Sequence, residues 1–200
     1  MTIGFDHALV MVEDLERAGR DFHQRYGLAS VEGGRHTGLG TGNRIVPLGP
    51  DYLELMAVVD ADEAQAGPLG PWVTALESSS ALGALCLRTN DIESVASRLG
   101  SPALPMQRVR PDGVVLAWRL AGLDQTLSDP SLPFFIQWDV PPQDMPGAAS
   151  VPHEVSPHGI AWVEVCGDDK TVRENRVRLL TQFGGLFGRV ADFSKIQAEV

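Results

Sequence analysis

Two apolar runs of strand length, Phe5–Val12 and Tyr52–Val59, each carry an ionisable residue where a core strand has little use for one: His7 in the first, Glu54 in the second. Alternate residues of a strand share a face, so His7, Leu9 and Met11 project together, as do Tyr52, Glu54 and Met56. A carboxylate among leucines is costly to bury unless it is paired, hydrogen-bonded or bound to a metal. If the two strands are neighbours, an imidazole and a carboxylate converge on one surface.

Between these runs the periodicity changes. Asp14–Tyr26 sets Leu15, Ala18, Phe22 and Tyr26 at helical spacing, with Gly27 as the stop. Ala29–Leu48, with glycines at 33, 34, 38, 40 and 42, predicts two strands meeting at a glycine-rich turn. Gly49-Pro50-Asp51 then turns the chain into the strand at Tyr52. The same order, strand, helix and three strands, recurs. Leu82–Arg88 is followed by a helix over Asn90–Leu99, with Asn90 and Glu93 as a capping box and Gly100 as the stop. Met106–Arg110, a Pro111-Asp112-Gly113 turn, Val114–Ala121 and Phe134–Val140 complete the second copy, the last two separated by a loop with Pro130 and Pro133.

This repeat, of period about eighty residues, organises the chain. It predicts an α+β fold with a first βαβββ module (1–60), an acidic, alanine-rich connector (61–81) with a short helix around Trp72 and Leu76, and a second module (82–140). A proline-rich surface linker (141–157) leads to a partial third unit (158–200), which opens with a strand at His158–Val165 and a helix at Asp169–Phe183. All of it is expected to share one compact domain.

Charge narrows the partners. With 16 basic against 26 acidic residues and a net charge of −10, the chain lacks the basic footprint of a nucleic-acid or anionic-membrane binder. A small anion held by a few local arginines stays open. No apolar run approaches the roughly 18 residues of a membrane span, and the N-terminus has no signal-peptide pattern. Cys86 and Cys166 give no disulfide framework and read as small core residues. A cytoplasmic protein with a small-molecule ligand is expected.

Asp6-His7-Ala8-Leu9-Val10 before a helix, Gly34-Arg35-His36, the run from Gly40-Thr41-Gly42-Asn43-Arg44 to Gly49, and Tyr52-Leu53-Glu54-Leu55 resemble the glyoxalase-like domain family of the vicinal oxygen chelate superfamily. Arg110-Pro111-Asp112-Gly113, Trp118-Arg119-Leu120 and Pro133-Phe134-Phe135-Ile136 are similar to it as well, so the resemblance extends over residues 1–165. It implies tandem βαβββ modules whose curved mixed sheets enclose a cavity, and, by analogy, a homodimer. Metal-dependent members of the superfamily hold a divalent ion with one residue from the first and one from the last strand of each module. Here those are His7 and Glu54 in module one. Laying the second module on the first by its helix start puts Ala84 and Gln137 in the equivalent places, and His158 becomes the substitute ligand.

The implied cofactor is a divalent metal (Zn, Ni, Mn or Fe), with no organic group. The implied activity is that of a lyase, isomerase or oxygenase acting on a substrate with adjacent oxygens, with Glu54 as the catalytic base. The alternative is a non-catalytic protein that sequesters a small hydrophobic compound. Without a metal, His7 and Glu54 form either a buried hydrogen bond or an acid–base pair.

His36, Thr41, Asn43 and Arg44 on the glycine-rich hairpin, and Trp118, Arg119 and Gln137 in module two, are the candidate substrate contacts. The clustered glycines indicate close approach of the backbone to another strand or to a ligand. Gly38-Leu39-Gly40-Thr41-Gly42 is no phosphate loop, because it leads into a strand rather than a helix. Arg119 is a carboxylate or phosphate clamp if its face lines the cavity. Arg108 and Arg110, beside a turn, read as solvated, and no nucleophile motif is present.

Overall fold

The computed structural model describes residues 1–36, 38–67, 69–77, 82–161 and 163. The first module consists of β1 (Ile3–Met11), α1 (Leu15–Tyr26), β2 (Val31–His36), β3 (Thr41–Pro47) and β4 (Tyr52–Val58). The connector folds into two short helices rather than one, α2 (Ala61–Ala66) and α3 (Leu69–Glu77). The second module is β5 (Leu82–Thr89), α4 (Ile92–Leu99), β6 (Leu104–Val109), β7 (Val115–Ala121) and β8 (Phe134–Trp138), with a further helix, α5 (Leu123–Ser128), in the loop before β8.

Local signals account for the helices. Asp14 caps α1 by accepting from Arg17 N at 2.8 Å, and Gly27 closes it. At α4 the cap is one residue later than the sequence pattern suggested: Asp91 accepts from Ser94 N at 3.1 Å. Asn90 instead accepts from Thr2 N at 2.8 Å, which pins the N-terminus. With Asn90 engaged by the N-terminus, the adjacent carboxylate takes the free N–H of the first turn.

All strands join one sheet in the order β2-β3-β4-β1-β5-β8-β7-β6. β1 and β5 run antiparallel at its centre and join the modules, while β4 lies parallel to β1 and β8 parallel to β5. The sheet curves until its edges meet: a Cβ on Gly34 of β2 would stand 3.0 Å from the Val109 carbonyl of β6. Its convex side is covered by α1 and α4 over two apolar clusters, one around Val46 and Leu55, the other around Ile92 and Phe135. On the concave side Leu9, Met11, Met56, Leu116 and Trp118 pack with Val73 of α3. Helix α3 thus seals one end of the curve, and the rest of the concave face is left for a cavity.

Residues 141–157 form no strand, yet they are tied down. The ring of His153 accepts from Ala29 N at 3.0 Å and donates through Nε2 to the Pro47 carbonyl at 2.7 Å. The strand expected at His158–Val165 is not formed over 158–161, where Ile160 N donates to Asp51 Oδ2 at 3.2 Å. The remainder of the expected third unit lies outside the described residues. Among the described residues no helix is long and apolar enough to cross a membrane.

Candidate functional site

The site begins with an irregularity in β1. His7 stands opposite Cys86, and the β1–β5 ladder slips between Phe5 and His7. A bulge of this kind breaks strand alternation, so that two successive side chains are buried together. Asp6 is 1% and His7 3% exposed. His7 Nδ1–H donates to Asp6 Oδ1 at 2.7 Å. The other oxygen of Asp6 accepts from Trp138 Nε1 at 3.1 Å and has Arg88 Nη1 at 3.4 Å. His7 Nε2 then faces Glu54 Oε2 at 3.2 Å, and Tyr52 stacks on the imidazole with ring centroids 4.5 Å apart.

Glu54 continues the chain of polar groups. Its Oε1 accepts from Asn43 Nδ2 at 2.6 Å, and Asn43 Oδ1 accepts from Arg108 Nη1 at 3.2 Å. A guanidinium only donates and a carboxylate only accepts, so the amide between them has one orientation. The same Asn43 nitrogen lies 3.4 Å from His36 Nε2, while His36 Nδ1 is 3.0 Å from Thr41 Oγ1. With Nε2 accepting, His36 is the Nδ1–H tautomer, and Thr41 holds it from behind. Arg108 reaches this network from β6, across the seam where the sheet closes. Only glycine allows the crossing, since a Cβ on Gly33 would stand 2.0 Å from Asn43 Oδ1 and 2.8 Å from Arg108 Nη1.

Electrostatics separate the two imidazoles. Burial opposes a charged His7, but Cys86 opposite it, the Asp6 carboxylate on Nδ1 and, less strongly, Glu54 on Nε2 raise its pKa well above the ordinary 6.5. Burial likewise pushes the Glu54 carboxyl up, and the hydrogen bond and charge of His7, with Asn43, overcome it and hold the group at about 2. His36 moves the other way: burial and the Arg108 guanidinium lower its pKa against the pull of Glu54. Cys86, pushed up to about 12 by burial, keeps its proton. At neutral pH His7 and Glu54 are therefore an ion pair beside a neutral His36.

These groups form one wall of a cavity of about 630 Å³, its open mouth included. Trp72, Trp118, Phe134 and Trp138 line much of the rest. Mostly apolar walls with a few converging polar groups are the usual make-up of a small-molecule site.

Of the residues singled out in the sequence, His7, His36, Asn43, Glu54 and Trp118 line this cavity, and Thr41 supports His36. Arg44 lies on the convex side, bonded to Ser30 Oγ and Glu16 of α1. Arg119 is also outside, clamped by Asp139 and Glu93. Trp118 and Leu120, rather than Arg119, carry the inward face of β7. The inward positions of β8 are Phe134, Ile136 and Trp138, so Gln137 points away and accepts from Ile92 N at 2.9 Å, helping to start α4. His158 is exposed and not at the cavity. Arg108, taken as solvated from its place near a turn, is buried at the site because it pairs in register with inward-facing Leu116. Asp6, given no role in the sequence reading, is buried behind His7 beside the slip in the β1–β5 ladder.

Among the described residues, Asp6, His7 and Cys86 form one group close enough to hold a metal ion, with ligand atoms within 4.8 Å of one another. That group lies behind His7, outside the cavity lining, with both Asp6 oxygens already engaged. On the cavity side His7 Nε2 and Glu54 Oε2 suit a divalent ion, and Asp6 is the carboxylate that fixes such an imidazole from behind. Module two adds apolar residues there and, from β6, the positive charge of Arg108. Among the described residues that donor set stops at two ligands, short of a metal cage.

The glyoxalase-like domain family matches residues 5–180 of this chain. A hypothetical protein from Staphylococcus aureus has a similar structure, with a TM-score of 0.69, 21% identity, and coverage of 90% of this chain and 75% of that one. At that identity the likeness is one of fold. Methylmalonyl-CoA epimerase from Mycobacterium tuberculosis is a looser match, with a TM-score of 0.44, 18% identity, and coverage of 68% of this chain and 86% of that one. A stretch of 37 residues is 65% identical to the glycine–tRNA ligase beta subunit of Myxococcus xanthus, which amounts to 18% of this chain and 5% of that protein's length. With the family matching across both modules, the chain belongs to the glyoxalase-like domain family.

Proposed function

We propose that the protein is a small-molecule enzyme that moves a proton at a carbon beside a carbonyl group, with Glu54 as base and His7 as the proton donor that faces the developing oxyanion. The observation that carries this reading is the His7–Glu54 pair, Nε2 to Oε2 at 3.2 Å, in the wall of an apolar cavity. A carboxyl held at about 2 is ionised but weakly basic. The contact that holds it there is the one a substrate must break by entering between Oε2 and Nε2. With His7 turned to the substrate oxygen, Glu54 loses its strongest stabilising partner, and burial raises its proton affinity when it is needed. Asp6 keeps the imidazole oriented and charged, and Asn43 holds the second carboxylate oxygen.

A second reading keeps the same residues as ligands to a divalent ion, and the observation that favours it is Asp6 behind His7 Nδ1. The two readings part at His7, whose Nε2 is protonated in the first and bare in the second. Incubation of the protein in D2O with a panel of 2-oxo acids, 2-hydroxy ketones and 2-hydroxy aldehydes tests the leading reading. NMR is expected to find deuterium at the carbon next to the carbonyl of at least one compound, an exchange lost in Glu54→Gln with the fold intact. Binding without exchange across the panel would favour sequestration and overturn it.

A further inference from the structure

Arg108 is 4% exposed, and among the described residues its guanidinium makes one hydrogen bond, to a neutral amide, Asn43 Oδ1. No carboxylate among the described residues pairs with it, because Asn43 stands between its guanidinium and Glu54. Buried arginines are normally paired, since an ion taken out of water needs a counter-charge. The other arginines near the cavity and on its outer faces obey this rule: Arg88 has Asp6, Arg44 has Glu16, and Arg119 has Asp139 and Glu93. Arg108 lines the cavity with most of its fork of donors unspent. A second unspent donor belongs to another residue of the cavity lining. Trp72 Nε1 is buried and has no partner among the described residues.

We infer that the cavity takes an apolar monocarboxylate, its carboxylate in the fork of Arg108 and its body against Trp118, Phe134 and Leu120. A planar fork matches a carboxylate through two parallel hydrogen bonds. Phosphate, with up to two charges, would meet one cation and have the Glu54 carboxylate one amide away. Trp72 is left to donate to a further oxygen of the ligand. The inference concerns the cavity used in the proton-transfer reading and rests on its being a ligand site, not on catalysis.

Isothermal titration with phenylpyruvate, 4-phenylbutyrate and 2-naphthylacetate, each beside its neutral amide, provides the test. At least one acid is expected to bind tenfold or more tighter than its amide. Arg108→Met should erase that preference, keep the amide affinity and leave the thermal midpoint level or higher, since an unpaired buried charge has been removed. A merely structural arginine would lower the midpoint instead. Should Arg108→Met not fold, Arg108→Lys, which keeps the charge but not the fork, is expected to weaken the acids alone. Equal affinity for acids and amides in the native protein, or no binding by any acid of the panel, overturns the inference. Glu54→Gln separates the two proposals, because it should abolish exchange and preserve the acid preference. Acid preference without exchange in the native protein would overturn proton transfer alone, and exchange without acid preference would overturn the anion site alone.

Discussion

At the scale of single residues, His7 and Glu54 stabilise each other's charged form, and stability must follow their titration. The Glu54 carboxyl has an ordinary pKa of 4.5 and sits at about 2 when folded. A depressed carboxyl contributes stability that is complete above its unfolded value and is lost as pH falls toward the folded one. The His7 pKa is raised above 6.5, so its contribution is complete below that value and is lost as pH rises through the higher folded one. The pair therefore stabilises most between pH 4.5 and 6.5. Unfolding by urea across pH should give a stability maximum in that window. The acid limb contributed by Glu54 is on the order of 3 kcal/mol, from 1.36 kcal/mol per pKa unit, and should flatten in Glu54→Gln. An acid limb of equal depth in that variant would mean that Glu54 is not held as a buried anion.

At the scale of elements, the hairpin β2–β3 decides how the site is assembled. Its glycines make room for other parts of the protein. Gly33 lets Arg108 pass, and Gly40 lets the turn sit on α2, where a Cβ would be 2.2 Å from Ala64 N. Gly38 has the same left-handed backbone with open space around it. Gly38→Ala should cost only the backbone strain, roughly 1–2 kcal/mol. Gly40→Ala adds a clash with main chain that cannot move aside, and should cost well above that, at least about 3 kcal/mol. Thermal unfolding of the two variants decides the matter, and equal losses would refute the packing of the turn on α2. Both βαβββ orders were legible in the sequence, because helix stops and strand periods are written locally. The glycine clearances were legible only as a need for space, since what fills it comes from distant segments. Arg108 and Gln137 were misplaced, and Asp6 was missed, for one reason. Alternation assigns a face only when the register is known, and a bulge or a hairpin register is set by the partner strand.

At the scale of the whole molecule, the site exists because the sheet closes on itself. β1 and β4 bring His7 and Glu54 side by side within module one, and β1 and β5 join the modules at that same point. The far edges then meet, so that Arg108 of β6 completes a network begun on β3. The sequence did carry the pairing of imidazole with carboxylate, because an ionisable residue in each of two apolar strands is costly unless shared. It could not carry Asp6, whose burial beside His7 goes with the slip in the β1–β5 ladder, or Arg108, which arrives only when the sheet closes. Module two has Ala84 and an outward-facing Gln137 where a symmetric metal centre needs ligands, so apart from Arg108 the wall it supplies is apolar.

The claim that unites these scales is that burial between β1 and β4 holds His7 as a cation between two carboxylates. Nitrogen-15 NMR of the imidazole rings across pH tests it most directly. Both His7 nitrogens should carry protons at pH 7.5 and release one only well above 6.5, with the transition moved down in Glu54→Gln. A His7 that is neutral at that pH, with Nε2 bare, would contradict the ion pair and the proton transfer built on it.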